Sequence, residues 1–163
     1  MNEILLNFFK ELPPQWLVFV ISALPVSELR GAIPAGIMMN LPFWEVFFFA
    51  VAGNILPIIP ILYLLDPVSK KLRKTKSGEK FFSWVFNHAR QKSEIIEKYE
   101  FWGLIIFVAI PLPMTGAWTG AIAASLLGLN KKLSFIAVSA GVLIAGIIVA
   151  ILTLGVKGFL GYV

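Results

Sequence analysis

The stretch "SELRGAIPAG", residues 27–36, places an acid and a base two positions apart within an apolar region of the chain. An ionised side chain at membrane depth is costly unless it is paired or hydrated, so such residues commonly mark a pathway for a substrate or an ion. Residues two apart in an extended segment point to the same side, so one cavity could hold both Glu28 and Arg30. The stretch therefore predicts an anion site at Arg30 and a coupling proton on Glu28.

Two other interpretations of these residues stay open. Glu28 and Arg30 could neutralise each other and only fix the local fold, or the stretch could be an ordinary loop outside the membrane. Charge within an apolar region favours a functional role. We therefore count the neighbouring chain-breaking residues, Gly31 and Pro34, among the candidate binding residues.

A second candidate site lies in "IPLPMTGAWTGA", residues 110–121, which carries no charge. If a helix begins in each of the two stretches, the N–H groups of its first turn favour an anion. Asn54, in the middle of "AGNILP", could line the same cavity or bond across helices, and both alternatives stay open. The candidate binding residues of the second stretch are Pro111, Pro113, Thr115, Gly116 and Trp118.

The composition is that of a membrane protein. The chain has 163 residues, of which 58% are hydrophobic and 14% are charged, whereas about a quarter of a soluble domain is charged. It has no cysteine and one histidine, and no second carboxylate lies deep enough in apolar sequence to work with Glu28 as an acid–base pair. We therefore expect one small membrane domain that is not an enzyme and holds no metal or cofactor.

The apolar blocks predict an all-α integral membrane protein. The block at 101–130 would be about 45 Å long as one helix, too long for a hydrocarbon core of about 30 Å, and two full spans would need about 40 residues. Its central prolines and glycines favour a re-entrant helical hairpin instead. The predicted segments are a re-entrant hairpin at 12–40, a transmembrane helix at 42–65, a basic loop at 66–100, a second re-entrant hairpin at 101–130 and a transmembrane helix at 133–156.

The distribution of charge predicts the topology. The loop at 66–100 holds nine Lys and Arg against five Asp and Glu, which is typical of a cytoplasmic loop and not of a nucleic-acid site. Lys131 and Lys132 should also be cytoplasmic, so the second hairpin would enter and leave the membrane on one side. Within the loop, residues 77–99 predict an amphipathic helix on the membrane surface or against the spans.

Weak internal similarity accompanies this plan. "ALPVSELRGA" from residue 23 can be paired with "AIPLPMTGA" from 109, and "AVAGNIL" from 50 with "AVSAGVL" from 137. The two halves would then form an inverted repeat, each a re-entrant hairpin followed by a transmembrane helix. Inverted repeats with broken helices are typical of secondary transporters.

"SELRGAIPAG" followed by "PLPMTGAWTGAIAASLLG" resembles the small multidrug export proteins, over roughly residues 15–156. That family is similar to the DedA superfamily, whose members have two opposed re-entrant hairpins. The resemblance implies proton-dependent transport or the movement of phosphate-bearing lipids, with Glu28 and Arg30 matching the charged motif of the first hairpin. The DedA pattern has arginines in its second hairpin, whereas this chain has none between residues 101 and 130.

The leading hypothesis is a small integral membrane transporter with proton-coupled export of a small amphipathic or anionic substrate, through a cavity between the two hairpins. The alternatives are a DedA-like lipid flippase or scramblase and a non-transporting membrane scaffold. We expect a prokaryotic plasma membrane as the location and membrane lipids and an unidentified substrate as partners. The small number of helices also favours a homodimer.

Overall fold

The computed structural model describes residues 12–72, 94–112 and 115–160. Helices are the only regular elements among these residues, which agrees with the predicted all-α class. The helices are α1 (Pro14–Ala23), α2 (Glu28–Met38), α3 (Phe43–Ile55), α4 (Ile58–Leu72), α5 (Glu94–Ala109), α6 (Ala117–Leu126) and α7 (Lys131–Leu160).

The first predicted hairpin is a pair of short helices, α1 and α2. Proline at the first helical position starts α1, since its missing N–H would have no partner there. The chain becomes extended at Leu24, and a turn follows before α2 begins. At about 1.5 Å per residue, each helix covers only about half of a hydrocarbon core. The break lies at residues 24–27, slightly before its predicted place. The expectation that Glu28 and Arg30 lie in an extended segment is wrong, because both belong to the helix α2. The re-entrant path through a membrane remains a prediction.

The predicted transmembrane helix at 42–65 is interrupted. α3 ends at Ile55 and α4 begins at Ile58, and the break falls at Pro57, which has no N–H to continue the helical ladder. Residues Phe43–Leu65 are together long and apolar enough to cross a membrane, with a mean hydropathy of 2.1. α4 continues to Leu72, which lies within the predicted basic loop.

The second predicted hairpin corresponds to α5 and α6, separated by a non-helical segment. α5 begins at Glu94, seven residues before the predicted start of the hairpin. The last part of the predicted amphipathic helix at 77–99 is thus the beginning of α5, and residues 77–93 lie outside the described part of the chain. As with the first pair, the helix break is observed and the re-entrant path is a prediction.

The last helix, α7, is 30 residues long. Asn130 caps it, because its side-chain oxygen accepts hydrogen bonds from the N–H groups of Lys132 at 3.1 Å and Leu133 at 3.2 Å. Residues Lys131–Gly158 are long and apolar enough to cross a membrane, with a mean hydropathy of 2.8. α7 therefore contains the predicted span at 133–156 and extends beyond it at both ends.

The described residues form two compact units, one running to Leu56 and resuming at Gly146, the other comprising Pro57–Ala145. In the first unit α1 and α2 pack against α3. Small residues permit this: a Cβ at Gly53 would collide with the carbonyl oxygen of Phe19, and one at Gly36 would lie 2.8 Å from Val46. Close packing of this kind is how helices associate in membranes, where lipid removes the hydrophobic drive between them.

The second unit is built in the same way from α4, α5, α6 and the first half of α7. A Cβ at Gly141 of α7 would lie 2.6 Å from the Cβ of Val108 and 2.9 Å from the carbonyl oxygen of Ile105. Gly120 of α6 likewise faces Val108. The glycines thus bring the backbones of the second helix pair and α7 into direct contact.

Candidate functional site

Glu28 begins α2 in a conformation that is unusual for its residue type. Its φ angle is +47°, and an L-residue with a side chain incurs a cost of about 1–2 kcal/mol in the left-handed region. Glutamate has no short side chain that could bond locally and offset this cost, unlike asparagine or aspartate. The first turn of a helix favours a negative charge through the helix dipole. The backbone therefore holds a carboxylate at a strained position at the start of a helix.

Glu28 and Arg30 are brought together as an ion pair. Arg30 Nη2 lies 3.7 Å from Glu28 Oε2, and the side chain of Arg30 is 29% exposed whereas that of Glu28 is 10% exposed. These two atoms are farther apart than the roughly 2.8 Å of a charge-assisted hydrogen bond. They attract each other electrostatically in a largely desolvated place, with the guanidinium on the more accessible side.

Local hydrogen bonds hold the break in front of the pair. The N–H of Glu28 donates to the carbonyl oxygen of Leu24 at 3.0 Å. Ser27 does not cap α2 with its side chain, since its hydroxyl donates back to the carbonyl oxygen of Ile21 at the end of α1. A Cβ at Gly31 would lie 2.9 Å from the Cβ of Ser27. The candidate Gly31 therefore has a packing role, and a role in substrate binding would be additional to it.

Pro34 lies within α2. Its ring nitrogen carries no hydrogen, so the helical bond from residue 34 to the carbonyl oxygen of Arg30 cannot form. The first turn of α2, which presents the ion pair, is consequently held less firmly by the helix than its later turns. Pro34 has no polar side-chain group that could bind a ligand. Its predicted role in the site is therefore explained by its effect on the first turn of α2.

Asn54 is a buried polar residue of α3. It is 2% exposed, and its side-chain oxygen accepts no hydrogen bond from the described part of the chain. α2 and α3 are joined by a short turn, and Gly36 packs at the level of Val46. Counting eight residues along each helix from that contact, with equal rise per residue, predicts that Asn54 lies level with Glu28.

The second candidate stretch is held by Thr115. Its hydroxyl lies 2.8 Å from the carbonyl oxygens of both Ile110 and Leu112 and accepts from the N–H of Leu112 at 3.2 Å. It thus closes the loop that begins around Pro111 and has a structural role there. Pro113 lies outside the described residues. Trp118 is partly exposed in the first turn of α6.

Gly116 precedes α6 with φ +157° and ψ −168°, a region open essentially to glycine alone. It is buried, and its carbonyl oxygen accepts from the N–H of Gly120 at 2.8 Å. The requirement for glycine here is therefore set by the backbone. Gly116 offers a ligand only its own peptide groups.

The two helix pairs match at an offset of 88 residues. Positive φ angles among the described residues occur at Glu28, Asn40, Gly116 and Gly128, and 28 pairs with 116 as 40 pairs with 128. The hydrogen bonds that end the helices agree as well. The N–H of Leu41 donates to the carbonyl oxygen of Gly36, and the N–H of Leu129 donates to that of Ala124. The pairings drawn from the sequence, which start at 23 with 109 and at 50 with 137, are therefore one or two residues out of register.

The structure brings Glu28 and Arg30 together in the first unit. Thr115, Gly116 and Trp118 are neighbours in the second. A cavity shared by the two stretches stays a prediction. Among the described residues no three His, Cys, Asp or Glu side chains are grouped so that they could hold a metal ion.

Comparison with known proteins gives a family. No curated protein and no solved structure matches the chain. The family described as "Putative small multi-drug export protein" matches residues 28–148, which is well over half of the sequence and includes the ion pair, Asn54 and the second stretch. With an export family and two helices long and apolar enough to cross a membrane, this is a membrane protein, and the chain belongs to the small multidrug export family.

Proposed function

We propose that this protein is a small transporter that exports an amphipathic or anionic substrate, with a proton coupled through Glu28. The observation that carries the proposal is the position of Glu28: a buried, strained carboxylate at a helix start, beside a more accessible arginine. Glycine would adopt the same φ angle without this strain, so the presence of a glutamate costs about 1–2 kcal/mol of backbone energy. The strain at Glu28 is therefore best explained by use of its carboxyl group.

The exposed tips of the helix pairs support a location within the membrane. Leu24 is 51% exposed and Leu112 is 55% exposed, and the two are 88 residues apart. Val26 is also exposed. An apolar side chain at the tip of a loop is unfavourable in water and favourable in lipid, so these tips fit re-entrant hairpins better than loops in solution.

The sign of coupling follows from the charge of the substrate. An amphipathic cation would compete with a proton for the carboxylate of Glu28, so the two would be exchanged across the membrane. An anion would bind Arg30 in place of that carboxylate, and two negative charges would share the site unless Glu28 took up a proton. In either case a neutral side chain at position 28 breaks the link between substrate and proton.

Transport by the purified protein in sealed vesicles tests the proposal. Ethidium serves as the cationic probe and carboxyfluorescein as the anionic probe, each with and without an imposed pH gradient. The wild type should move at least one probe against its gradient when the pH gradient is present. Glu28→Gln should lose this accumulation and retain downhill exchange, because glutamine keeps the size and hydrogen bonding of the side chain.

Two results would contradict the proposal. Accumulation by Glu28→Gln equal to that of the wild type would remove the coupling role of Glu28. Failure to move either probe, together with rapid movement of fluorescent phosphatidylserine between leaflets, would favour the lipid scramblase. A non-transporting scaffold would move neither the two probes nor the fluorescent lipid.

A further inference from the structure

A groove at the end of α7 forms a second place where a ligand of defined chemistry fits. It lies within the first unit, where the last turns of α7 meet the C-terminal end of α2, and has a volume of about 560 Å³. Pockets that hold small molecules have roughly 300–1,000 Å³. We name it the Lys157 groove; its lining residues are Ile37, Met38, Asn40, Leu152, Thr153, Val156 and Lys157.

The walls of the groove are open and apolar. Met38, Leu152 and Val156 are each more than half exposed. They belong to helices that end a short hairpin and a span, so in a membrane they face lipid. A polar ligand would lose its hydration against such a wall without gaining hydrogen bonds, whereas the acyl chain of a lipid is already present at that depth.

A single cation stands at one end of the groove. Lys157 Nζ donates to the carbonyl oxygen of Ile37 at 3.2 Å and to Asn40 Oδ1 at 3.1 Å. Both partners are neutral, and within the described ranges Lys157 forms no ion pair. An ammonium group has three N–H donors. Towards the described residues, one donor and the positive charge of Lys157 therefore stay unused, and a ligand could take them up.

The two contacts also fix where the charge is. Ile37 is buried in the last turn of α2, and Asn40 adopts a φ angle of +57° just after it, so both groups that Lys157 contacts belong to the C-terminal end of this helix. Lys157 is near the end of the segment Lys131–Gly158. At that position a lysine is level with the lipid headgroups.

We propose that the Lys157 groove binds one anionic phospholipid, with an acyl chain along the apolar wall and its phosphate on Lys157. Basic pockets between helices bind anionic headgroups in this manner on the cytoplasmic side of membranes, and the same attraction between an ammonium group and a phosphate acts on the opposite side, where the proposed topology places Lys157. A zwitterionic lipid fits less well, since its own ammonium group is repelled by Lys157. This site is separate from the ion pair at the start of α2 and does not depend on the transport proposal.

Native mass spectrometry of the purified full-length protein tests this. The protein is mixed with equal amounts of phosphatidylglycerol and phosphatidylcholine that carry the same acyl chains. The wild type should retain one phosphatidylglycerol with a preference of roughly tenfold, or about 1.4 kcal/mol, because both phosphates can accept a hydrogen bond from Lys157 but only phosphatidylcholine brings a cation that Lys157 repels. Lys157→Gln should bind the two lipids equally, and Lys157→Arg should keep the preference.

Matched controls separate the charge from the groove. Lys132→Gln removes a lysine from the other end of α7 and should leave the preference unchanged. Thr153→Trp fills the groove and should weaken binding of both lipids, whereas Leu154→Trp places the same bulk outside the lining residues and should not. If Lys157→Gln does not fold because its contacts with α2 are lost, Lys157→Arg still tests whether the charge gives the preference, and Thr153→Trp still tests whether the lipid occupies the groove.

Three outcomes would overturn the inference. Equal binding of the two lipids by the wild type would show that Lys157 selects nothing. Displacement of the lipid by inorganic phosphate alone would indicate an anion site without a lipid. A dimer that binds no lipid and is dissociated by Thr153→Trp would show that a second copy of the chain occupies the groove.

Discussion

Glu28 and Gly116 occupy the same place in two similar helix pairs. Glu28 is the first residue of α2 and has a φ angle of +47°, whereas Gly116 directly precedes α6 and has a φ angle of +157°. The two residues are 88 positions apart, and their positive φ angles lie in different regions. Glycine can adopt such a conformation at little cost, whereas glutamate cannot. The first pair thus carries a charged side chain where the second pair carries none.

This relationship predicts how stability responds to substitution of Glu28. Glu28→Gly and Glu28→Ala both remove the carboxylate, but only glycine relieves the backbone strain. We expect Glu28→Gly to melt about 2–4 °C above Glu28→Ala, corresponding to roughly 1 kcal/mol. Both variants should lose pH-driven transport. Equal melting temperatures for the two would show that position 28 is not strained.

Much of the helical layout could be predicted from the sequence because prolines and glycines act locally. The break at Pro57 and the interruptions between α1 and α2 and between α5 and α6 all fall where helix-breaking residues are placed. The lengths of the apolar blocks then indicate which segments can cross a membrane. These features depend on residues that are close together in the chain, so the local sequence is enough to predict them.

Other features depend on the backbone or on distant residues and were not predicted. No residue pattern indicates that Glu28 has a positive φ angle, since its type disfavours it. The contact of Lys157 with Asn40 joins residues 117 positions apart. The structural role of Thr115 in its loop comes from side-chain geometry. The sequence suggested that the two helix pairs correspond, but the offset of 88 residues came from the matching turns after α2 and α6, and the inverted repeat stays a prediction.

The close approach of helices at glycine predicts a stability loss on adding one methyl group. Gly53→Ala would force a Cβ against the Phe19 backbone, and Gly141→Ala would crowd Val108 and the Ile105 carbonyl. Backbone atoms cannot move aside as a side chain can, so each change should cost about 1–3 kcal/mol. Gly155→Ala is the control, since no atom of the described residues lies within 4 Å of a Cβ there. A loss at all three would contradict packing as the cause.

Labelling of introduced cysteines tests the proposed topology. The chain has no cysteine of its own, so Lys132→Cys and Lys157→Cys can each be treated with an impermeant maleimide from either side of a sealed membrane. Because α7 is long enough to span, the two should be labelled from opposite sides, with Lys132→Cys on the cytoplasmic side. Val26→Cys should react poorly from both sides, since a thiol in lipid does not ionise. Labelling of Lys132→Cys only from outside would exclude the proposed orientation.

Arg30→Lys distinguishes a binding role from a counter-ion role. Lysine keeps the charge but loses the planar group that can bind a carboxylate or phosphate through two parallel hydrogen bonds. If Arg30 binds an anionic substrate, transport should fall by about tenfold or more, the loss of one charge-assisted hydrogen bond. The melting temperature should change little. Transport at the wild-type level in Arg30→Lys would instead assign the arginine to neutralising Glu28.

Asn54 predicts that stability and transport change in opposite directions. Its buried side-chain oxygen accepts no hydrogen bond from the described residues, and leaving such a group unsatisfied costs about 1–3 kcal/mol. Asn54→Leu has a similar size and no polar atom, so it should raise the melting temperature. If the amide serves a substrate or proton level with Glu28, the same variant should transport more slowly.

Ser139→Ala is the matched control for Asn54. Its hydroxyl is also buried without a partner among the described residues, and it belongs to α7, outside the candidate site. Removing it should stabilise the protein and leave transport unchanged. Melting temperature and vesicle transport are measured for both variants. If Asn54→Leu is more stable than the wild type and transports at the same rate, the role of Asn54 is restricted to packing. A role in transport requires that the substitution raise the melting temperature and slow transport at the same time.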